Sequence, residues 1–178
     1  MRFVEWNVRV LCFLCVLGGS AAAFRRALGA LAPWRFRSHL MVAALVLAAT
    51  AHAQLPEIGL AINDHKLTAE VAHMDATRTE GLMHRRMLPE SRGMLFVFRD
   101  IAPHSMWMMN THIPLSVAFL DTNGVIINIA DMEPHTQNTH AAAKPAKYAL
   151  EVNQGWFRKR GIKPGAKVEG IERAPPAQ

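Results

Sequence analysis

Short apolar runs separated by turn residues constrain the fold of this chain more than any other feature. Leu67, Ala69 and Val71 alternate with polar residues, which is the period of a strand with one solvent-facing side. Asn123-Gly124 lies between two apolar runs, and this pair favours the positive backbone angles of a tight hairpin. The pattern predicts an α+β domain that is largely β, with a compact barrel-like sheet of about seven short strands and two short helices. The strands are expected within residues 58–72, 93–98, 105–109, 115–120, 125–129, 147–152 and 168–171.

Two segments carry helix signals. Thr77 and Glu80 have the spacing of a capping box and predict a short helix after Thr77. Asn153 is expected to cap a second brief helix, with Gly161 as its left-handed C-terminal stop. Residues 133–145 contain two prolines and three successive alanines without apolar periodicity, so a loop is predicted there.

The first part of the chain has the pattern of a secretory signal. Arginines precede an apolar run at residues 40–49, and Ala51-His52-Ala53 supplies small residues for a signal peptidase. A run of about ten residues is too short for a bilayer span, which needs roughly 20. We therefore expect an exported, periplasmic or secreted protein, cleaved near Ala53, with no stable membrane span afterwards; an uncleaved anchor is the alternative.

This leader divides the chain. We expect residues 1–53 to be the leader, residues 54–173 a single globular domain and residues 174–178 a loose tail. A second apolar stretch at residues 10–24 indicates that the first 30 or so residues precede the true translation start.

Charge and cysteine content exclude several functions. The net charge is +6, but six arginines and one glutamate in residues 1–53 account for +5 of it, so nucleic-acid binding is not expected. Cys12 and Cys15 both lie in the leader, which excludes a thiol nucleophile from the domain. The sequence also lacks a Gly-x-Ser-x-Gly elbow, a phosphate loop and a His-Glu-x-x-His motif. Among the functions that these features do not exclude, we expect a monomeric protein that binds a small molecule.

A series of blocks between about residues 67 and 171 resembles one known family, the domain of unknown function 192 family. The blocks are Gly81-Leu82-Met83, Gly93 to Phe98, Trp107-Met108, Asn110-Thr111, Ile113-Pro114-Leu115, Phe119-Leu120-Asp121 and Tyr148 to Glu151. The resemblance implies a small, often exported, single-domain α+β protein without an established biochemical role. Met109 departs from the family, which usually has lysine there, and the later loop carries His135 and His140 where many relatives have cysteines.

The block from Trp107 to Thr111 is the first candidate site. Trp107 and Met108 offer an apolar surface, and Asn110 and Thr111 offer hydrogen-bonding groups just before a proline-marked bend. Carbohydrates and other cell-wall fragments suit such a surface. If the later loop folds over Trp107, its two histidines, His135 and His140, would join the site. The alternative is that Trp107 and Met108 are core residues and that the polar pair satisfies a turn.

A metal site is the second candidate. His104, Met106 and Met108 would share one face of a strand, and thioether and imidazole ligands suit copper. His135 and His140 form a second possible set for copper or zinc. The alternatives are methionine as core filler and a solvated histidine loop.

A hydrolase is the third candidate, with Glu151 and Asp121 as an acid–base pair on neighbouring strands. Asp121 could instead cap the hairpin turn, and Glu151 could lie on the wet side of its strand. If Glu151 is buried, desolvation will raise its pKa and make it the best acid–base candidate.

Overall fold

The computed structural model describes residues 54–178, and the predicted leader with its two cysteines lies outside this range. No helix among these residues is long and apolar enough to cross a membrane. The predicted fold class is confirmed, because the chain forms a curled, half-barrel sheet of seven strands with two short α-helices.

The elements follow one another as short strands with few helical residues. The strands are β1 Glu57–Ile62, β2 His65–Ala72, β3 Arg92–Ala102, β4 Ser105–Met106, β5 Leu115–Leu120, β6 Ile126–Met132, β7 His140–Ala141, β8 Ala146–Asn153 and β9 Val168–Glu169; the helices are α1 Asp75–Glu80 and α2 Trp156–Lys159, followed near the end by a 3-10 turn at Ile171–Arg173.

The seven-stranded sheet has the order β6-β5-β8-β3-β2-β1-β9, and β4 pairs with β7 in a separate ribbon. β2 and β3 are parallel, whereas the other neighbouring strands of the sheet are antiparallel. A parallel pair needs a crossover connection, and α1 lies in that connection. The crossover places α1 and the chain after it over one face of the sheet.

Both faces of the sheet are covered, and each carries its own apolar core. Leu150 and Val152 of β8 belong to the first core, with Trp156 of α2. Ala149 of the same strand belongs to the second core. Because side chains alternate along a strand, Glu151 points to the second core and has no solvent-facing side.

The first helix begins earlier than predicted. It starts at Asp75 after Met74, so Thr77 is its third residue rather than its cap. The Thr77 hydroxyl accepts the Met74 N–H at 3.1 Å and donates to the Met74 carbonyl at 2.9 Å. Thr77 therefore closes the first turn from inside the helix, and the expected reciprocal bond with Glu80 is not part of it.

Three other boundaries differ from the prediction. Asn153 ends β8 instead of capping a helix; its amide donates to the Leu88 carbonyl at 2.8 Å, and α2 follows Gly155. The predicted strand at 105–109 stops at Met106, because the chain then turns and joins the later loop. That loop also contains β7, which pairs with β4. The left-handed conformation predicted for Gly161 is confirmed by its φ of +64°.

Gly93 of β3 leaves no room for a side chain against β8. A Cβ there would be 2.7 Å from the backbone oxygen of Glu151 and 3.1 Å from Val152 Cγ1. We expect Gly93→Ala to lower the free energy of unfolding by about 1 to 3 kcal/mol, because the added methyl group pushes β3 and β8 apart. Urea unfolding measures the change.

Gly59 of β1 is the matched control, since a Cβ there would meet no atom within 4 Å. Gly59→Ala should leave the unfolding midpoint nearly unchanged. Equal losses in the two variants would contradict the close approach of β3 and β8.

Candidate ligand-binding cavity

A cavity of about 470 Å³ opens between α1, β3 and the segment that follows β3. Its walls combine aromatic and thioether side chains with charged ones, including the carboxyl-bearing residues Asp75, Glu80, Asp100 and Glu151. The residues with the clearest roles are Asp75, Arg78, Glu80, Gly81, Phe96, Phe98, Arg99, His104, Met106, Trp107, Thr111 and Glu151. This is the setting in which small-molecule sites usually occur: a concave, mostly apolar surface with a few polar groups.

Glu151 is the buried acid of this cavity. It is 3% exposed, and its partners in the neighbouring strands are Met94 of β3 and Val117 of β5, both fully buried. Among residues 54–178 the Glu151 side chain forms no ion pair and no hydrogen bond. Burial alone raises the pKa of Glu151 to about 8. The carboxyl is therefore protonated at neutral pH, and it can both donate and accept a hydrogen bond.

Aromatic rings form the walls. Phe96 is buried, and the ring of Phe98 stacks on His104 with 3.7 Å between the ring centroids. The Nε2 of His104 lies 3.0 Å from the Asp100 carbonyl oxygen, which holds the imidazole in place. Trp107 is 47% exposed, so its ring is open to a ligand.

Gly81 lets α1 end against this wall. Its φ is +50°, and a Cβ there would lie 3.1 Å from the Phe96 ring. Both the backbone angle and the available space favour glycine. The aromatic wall and the end of α1 therefore depend on each other.

The charged groups around the cavity are largely paired within the protein. Arg78 donates to the Val97 carbonyl at 3.0 Å and the Gln178 carbonyl at 2.9 Å, and it forms an ion pair with Asp75. Asp75 also pairs with Arg99 at 3.1 Å. The two arginines are thus engaged by protein groups, and a ligand meets little unbalanced positive charge.

Five of the residues singled out from the sequence line this cavity, namely His104, Met106, Trp107, Thr111 and Glu151. Thr111 is buried, and its hydroxyl lies 3.4 Å from the Met109 carbonyl. Glu151 was expected to be the best acid–base candidate if it proved buried. It is buried, and its pKa is raised.

The other predicted site residues lie elsewhere. Met108 is fully buried in the second core. Asn110 is exposed, has a φ of +59°, and its carbonyl accepts the His84 N–H at 2.9 Å. His140 is in β7 opposite Met106, and neither it nor His135 lines the cavity.

Asp121 is placed at the hairpin. Its Oδ1 accepts the N–H groups of Asn123 and Val125 at 2.8 and 2.9 Å, which is the turn-capping alternative. It does not share the cavity of Glu151, so the expected acid–base pair is not brought together.

The predicted face of His104, Met106 and Met108 does not form, because β4 ends at Met106 and the alternation does not continue. Within residues 54–178 no three His, Cys, Asp or Glu side chains are grouped so that they could hold a metal ion.

Arg78, Phe98 and Gly81 were not singled out as site residues from the sequence. Gly81 stands in a block that carries the family resemblance, which is the one signal that could have indicated the α1 wall. Phe98 also stands in such a block, Gly93 to Phe98. Arg78 carries no such signal, because its position in the cavity depends on the crossover between β2 and β3.

A model of the domain of unknown function 192 family, described as "Uncharacterized ACR", matches residues 58–170. A crystal structure from Sinorhizobium meliloti 1021, provisionally assigned as a transcription regulator, is 33% identical to this chain with a TM-score of 0.63. The match covers 66% of this chain and 96% of the Sinorhizobium chain. A crystal structure from Novosphingobium aromaticivorans DSM 12444, of unknown function, is 30% identical with a TM-score of 0.60, and the match covers 68% of this chain and 89% of the Novosphingobium chain. None of the curated proteins matches this chain.

The raised pKa of Glu151 predicts an unusual pH dependence of stability. Between the ordinary value of 4.5 and about 8, the folded protein holds a proton that the unfolded chain has lost. The free energy of unfolding should therefore fall as pH rises through this range, by roughly 1 kcal/mol per pH unit from this group. Glu151→Gln removes this pH dependence. The free energy of unfolding of the variant should therefore equal that of the wild type near pH 4.5 and be higher than that of the wild type above pH 8.

Chemical denaturation at a series of pH values measures this difference. Glu80→Gln, at an exposed carboxyl of the same cavity, is the control and should keep the wild-type profile. Parallel profiles for wild type and Glu151→Gln would contradict a buried, protonated Glu151.

Proposed function

This chain belongs to the domain of unknown function 192 family, and we propose that it is an exported domain that binds a small uncharged ligand, a carbohydrate or cell-wall fragment, in the cavity that contains Glu151. The observation that carries the proposal is the buried carboxyl of Glu151, which has no hydrogen-bond partner among the described residues and lines an open cavity. Burial raises the pKa of this carboxyl to about 8.

The state of Glu151 favours an uncharged ligand. The Glu151 carboxyl lines the cavity and has no hydrogen-bond partner among residues 54–178, so a ligand with hydroxyl or amide groups would bond to both oxygens of the neutral carboxyl. An anion would face Asp75 and Glu80, while Arg78 and Arg99 are already occupied by protein groups.

The exposed ring of Trp107 favours a ligand with a flat apolar side. Sugar rings combine such a side with hydroxyl groups at their edge, and an amphipathic aromatic ring binds surfaces of this kind. Thr111 and Glu151 lie in the same cavity as Trp107, so stacking and hydrogen bonding would act on one ligand.

The regulator assignment of the Sinorhizobium relative supports no DNA-binding proposal here. Outside the leader the formal charge is only about +1, whereas nucleic-acid binding relies on concentrated positive charge.

Export is the part of the proposal that rests on the leader. The apolar run and Ala51-His52-Ala53 support cleavage after Ala53. Mass analysis of the protein recovered from outside the cytoplasm should give Gln54 as the first residue. Recovery of the uncleaved chain in the cytoplasm would contradict export.

Binding is tested by calorimetry with N-acetylglucosamine oligomers, which are uncharged. Trp107→Ala should weaken binding at least about tenfold, because stacking area is lost from an exposed side chain that the fold does not need. Met87→Ala is the matched control; Met87 is 75% exposed and lies outside the cavity, so binding should be unchanged.

The pH dependence identifies the role of Glu151. Affinity should be constant below pH 8 and fall about tenfold per pH unit above it, because only the neutral carboxyl donates. Glu151→Gln keeps a donor and should bind equally well on both sides of pH 8. Binding by Trp107→Ala that equals the wild type would refute the cavity as the site.

Acid catalysis is a second candidate, since a buried carboxyl with a pKa near 8 suits a general acid. If the same titrations released cleaved products, hydrolysis would replace binding as the function. Cleavage should then be lost in Glu151→Gln and kept in Asp121→Asn.

A further inference from the structure

We propose that His112 and His135 form a two-histidine chelate for a divalent transition metal, with Cu(II) bound most tightly. The two rings meet on the surface, where the loop before β5 contacts the loop after β6. His112 Nδ1 lies 3.1 Å from His135 Nε2, and the ring centroids are 4.7 Å apart. Neither residue lines the cavity of Glu151, so this site is independent of the proposed function.

The spacing of the two nitrogens matches that of two ligands on one ion. Metal–nitrogen bonds of about 2.0 to 2.1 Å place adjacent ligand nitrogens about 2.8 to 3.0 Å apart in square-planar geometry and about 3.3 to 3.4 Å apart in tetrahedral geometry. The observed 3.1 Å lies between these two spacings, so a small ring movement reaches either. Because both side chains are exposed, the rings can turn about χ2 and aim both lone pairs at one ion. The proton now shared between them moves to the outer nitrogen of a ring.

Backbone contacts hold the two loops together independently of the rings. The His135 N–H donates to the Thr111 carbonyl, and the Met108 N–H donates to the Thr136 carbonyl, both at 3.2 Å. His135 has a φ of +61°, which fixes the direction in which its side chain leaves the loop. The approach of the two imidazoles is therefore built into the fold and does not depend on their mutual hydrogen bond.

The ligand set decides which metal fits. Two neutral imidazoles suit Cu(II), Ni(II) and Zn(II), and Cu(II) binds most tightly among these ions. No third His, Cys, Asp or Glu joins the pair within residues 54–178, so water completes the coordination. Neither histidine forms an ion pair in this part of the chain, which leaves both rings available.

The test uses the full-length chain with Cys12→Ser and Cys15→Ser, which removes the thiols of the leader. Cu(II) is titrated by calorimetry, and the bound ion is examined by electron paramagnetic resonance. We expect one Cu(II) per chain at this site, with the hyperfine pattern of two nitrogen ligands. His112→Asn and His135→Asn should each weaken binding at least about tenfold and leave one nitrogen. Asparagine is chosen because it tolerates the positive φ at position 135.

His140→Asn is the matched control, since His140 lies in β7 and does not contact either ring; it should bind as tightly as the parent. Binding that survives in His112→Asn, that is lost in His140→Asn, or that is weaker than about 1 mM in the parent would overturn the proposal.

Discussion

The burial of β8 on both faces is the constraint on which the rest of this structure depends. β8 lies between β3 and β5, and its side chains alternate between two apolar cores. From Ala149 to Val152 the strand has no solvent-facing side, so a polar side chain there must be neutral, paired or open to a cavity. Glu151 meets this condition by being protonated and by lining a cavity.

The cavity itself follows from the one parallel pairing in the sheet. Parallel strands cannot be joined by a tight turn, so the chain between β2 and β3 must cross over a face of the sheet. The crossover contains α1, which has only six residues, and apolar residues after it, including Leu82 and Leu88, reach the second core. A helix this short covers only part of the face. The cavity opens beside it, along Phe96 and Phe98.

Local pattern was sufficient to predict the fold class and most strands of the seven-stranded sheet, because period-two alternation and the Asn123-Gly124 turn are properties of neighbouring residues. It missed β7, which lies in a segment predicted to be a loop. Trp107 and Met108 show where local pattern fails to predict burial. Both are apolar and extend the pattern of a strand, yet one is 47% exposed and the other fully buried, since the chain turns there and hydrogen-bonds to the loop after β6.

Glu151 could be assigned to a strand and to a face from sequence, but its burial could not be predicted. Burial depends on what covers that face, and the covering residues come from the crossover and from the segment after β3. The pairing of His112 with His135 is a further case: 23 positions separate the two residues, and the contact arises from two loops that only the folded sheet brings together.

An acid at position 151 costs stability that an apolar residue would not, and the cost grows as pH rises toward the pKa of about 8. Packing alone therefore does not explain a glutamate at this position. A glutamine would donate and accept hydrogen bonds with nearly the same shape, so hydrogen bonding alone does not require a carboxyl either. What glutamate adds is a proton that can leave. With that proton bound, the group suits a neutral ligand; without it, the cavity holds a buried charge that repels anions and disfavours apolar contacts. Under the proposed function, glutamate in place of glutamine would couple the occupancy of this cavity to a proton.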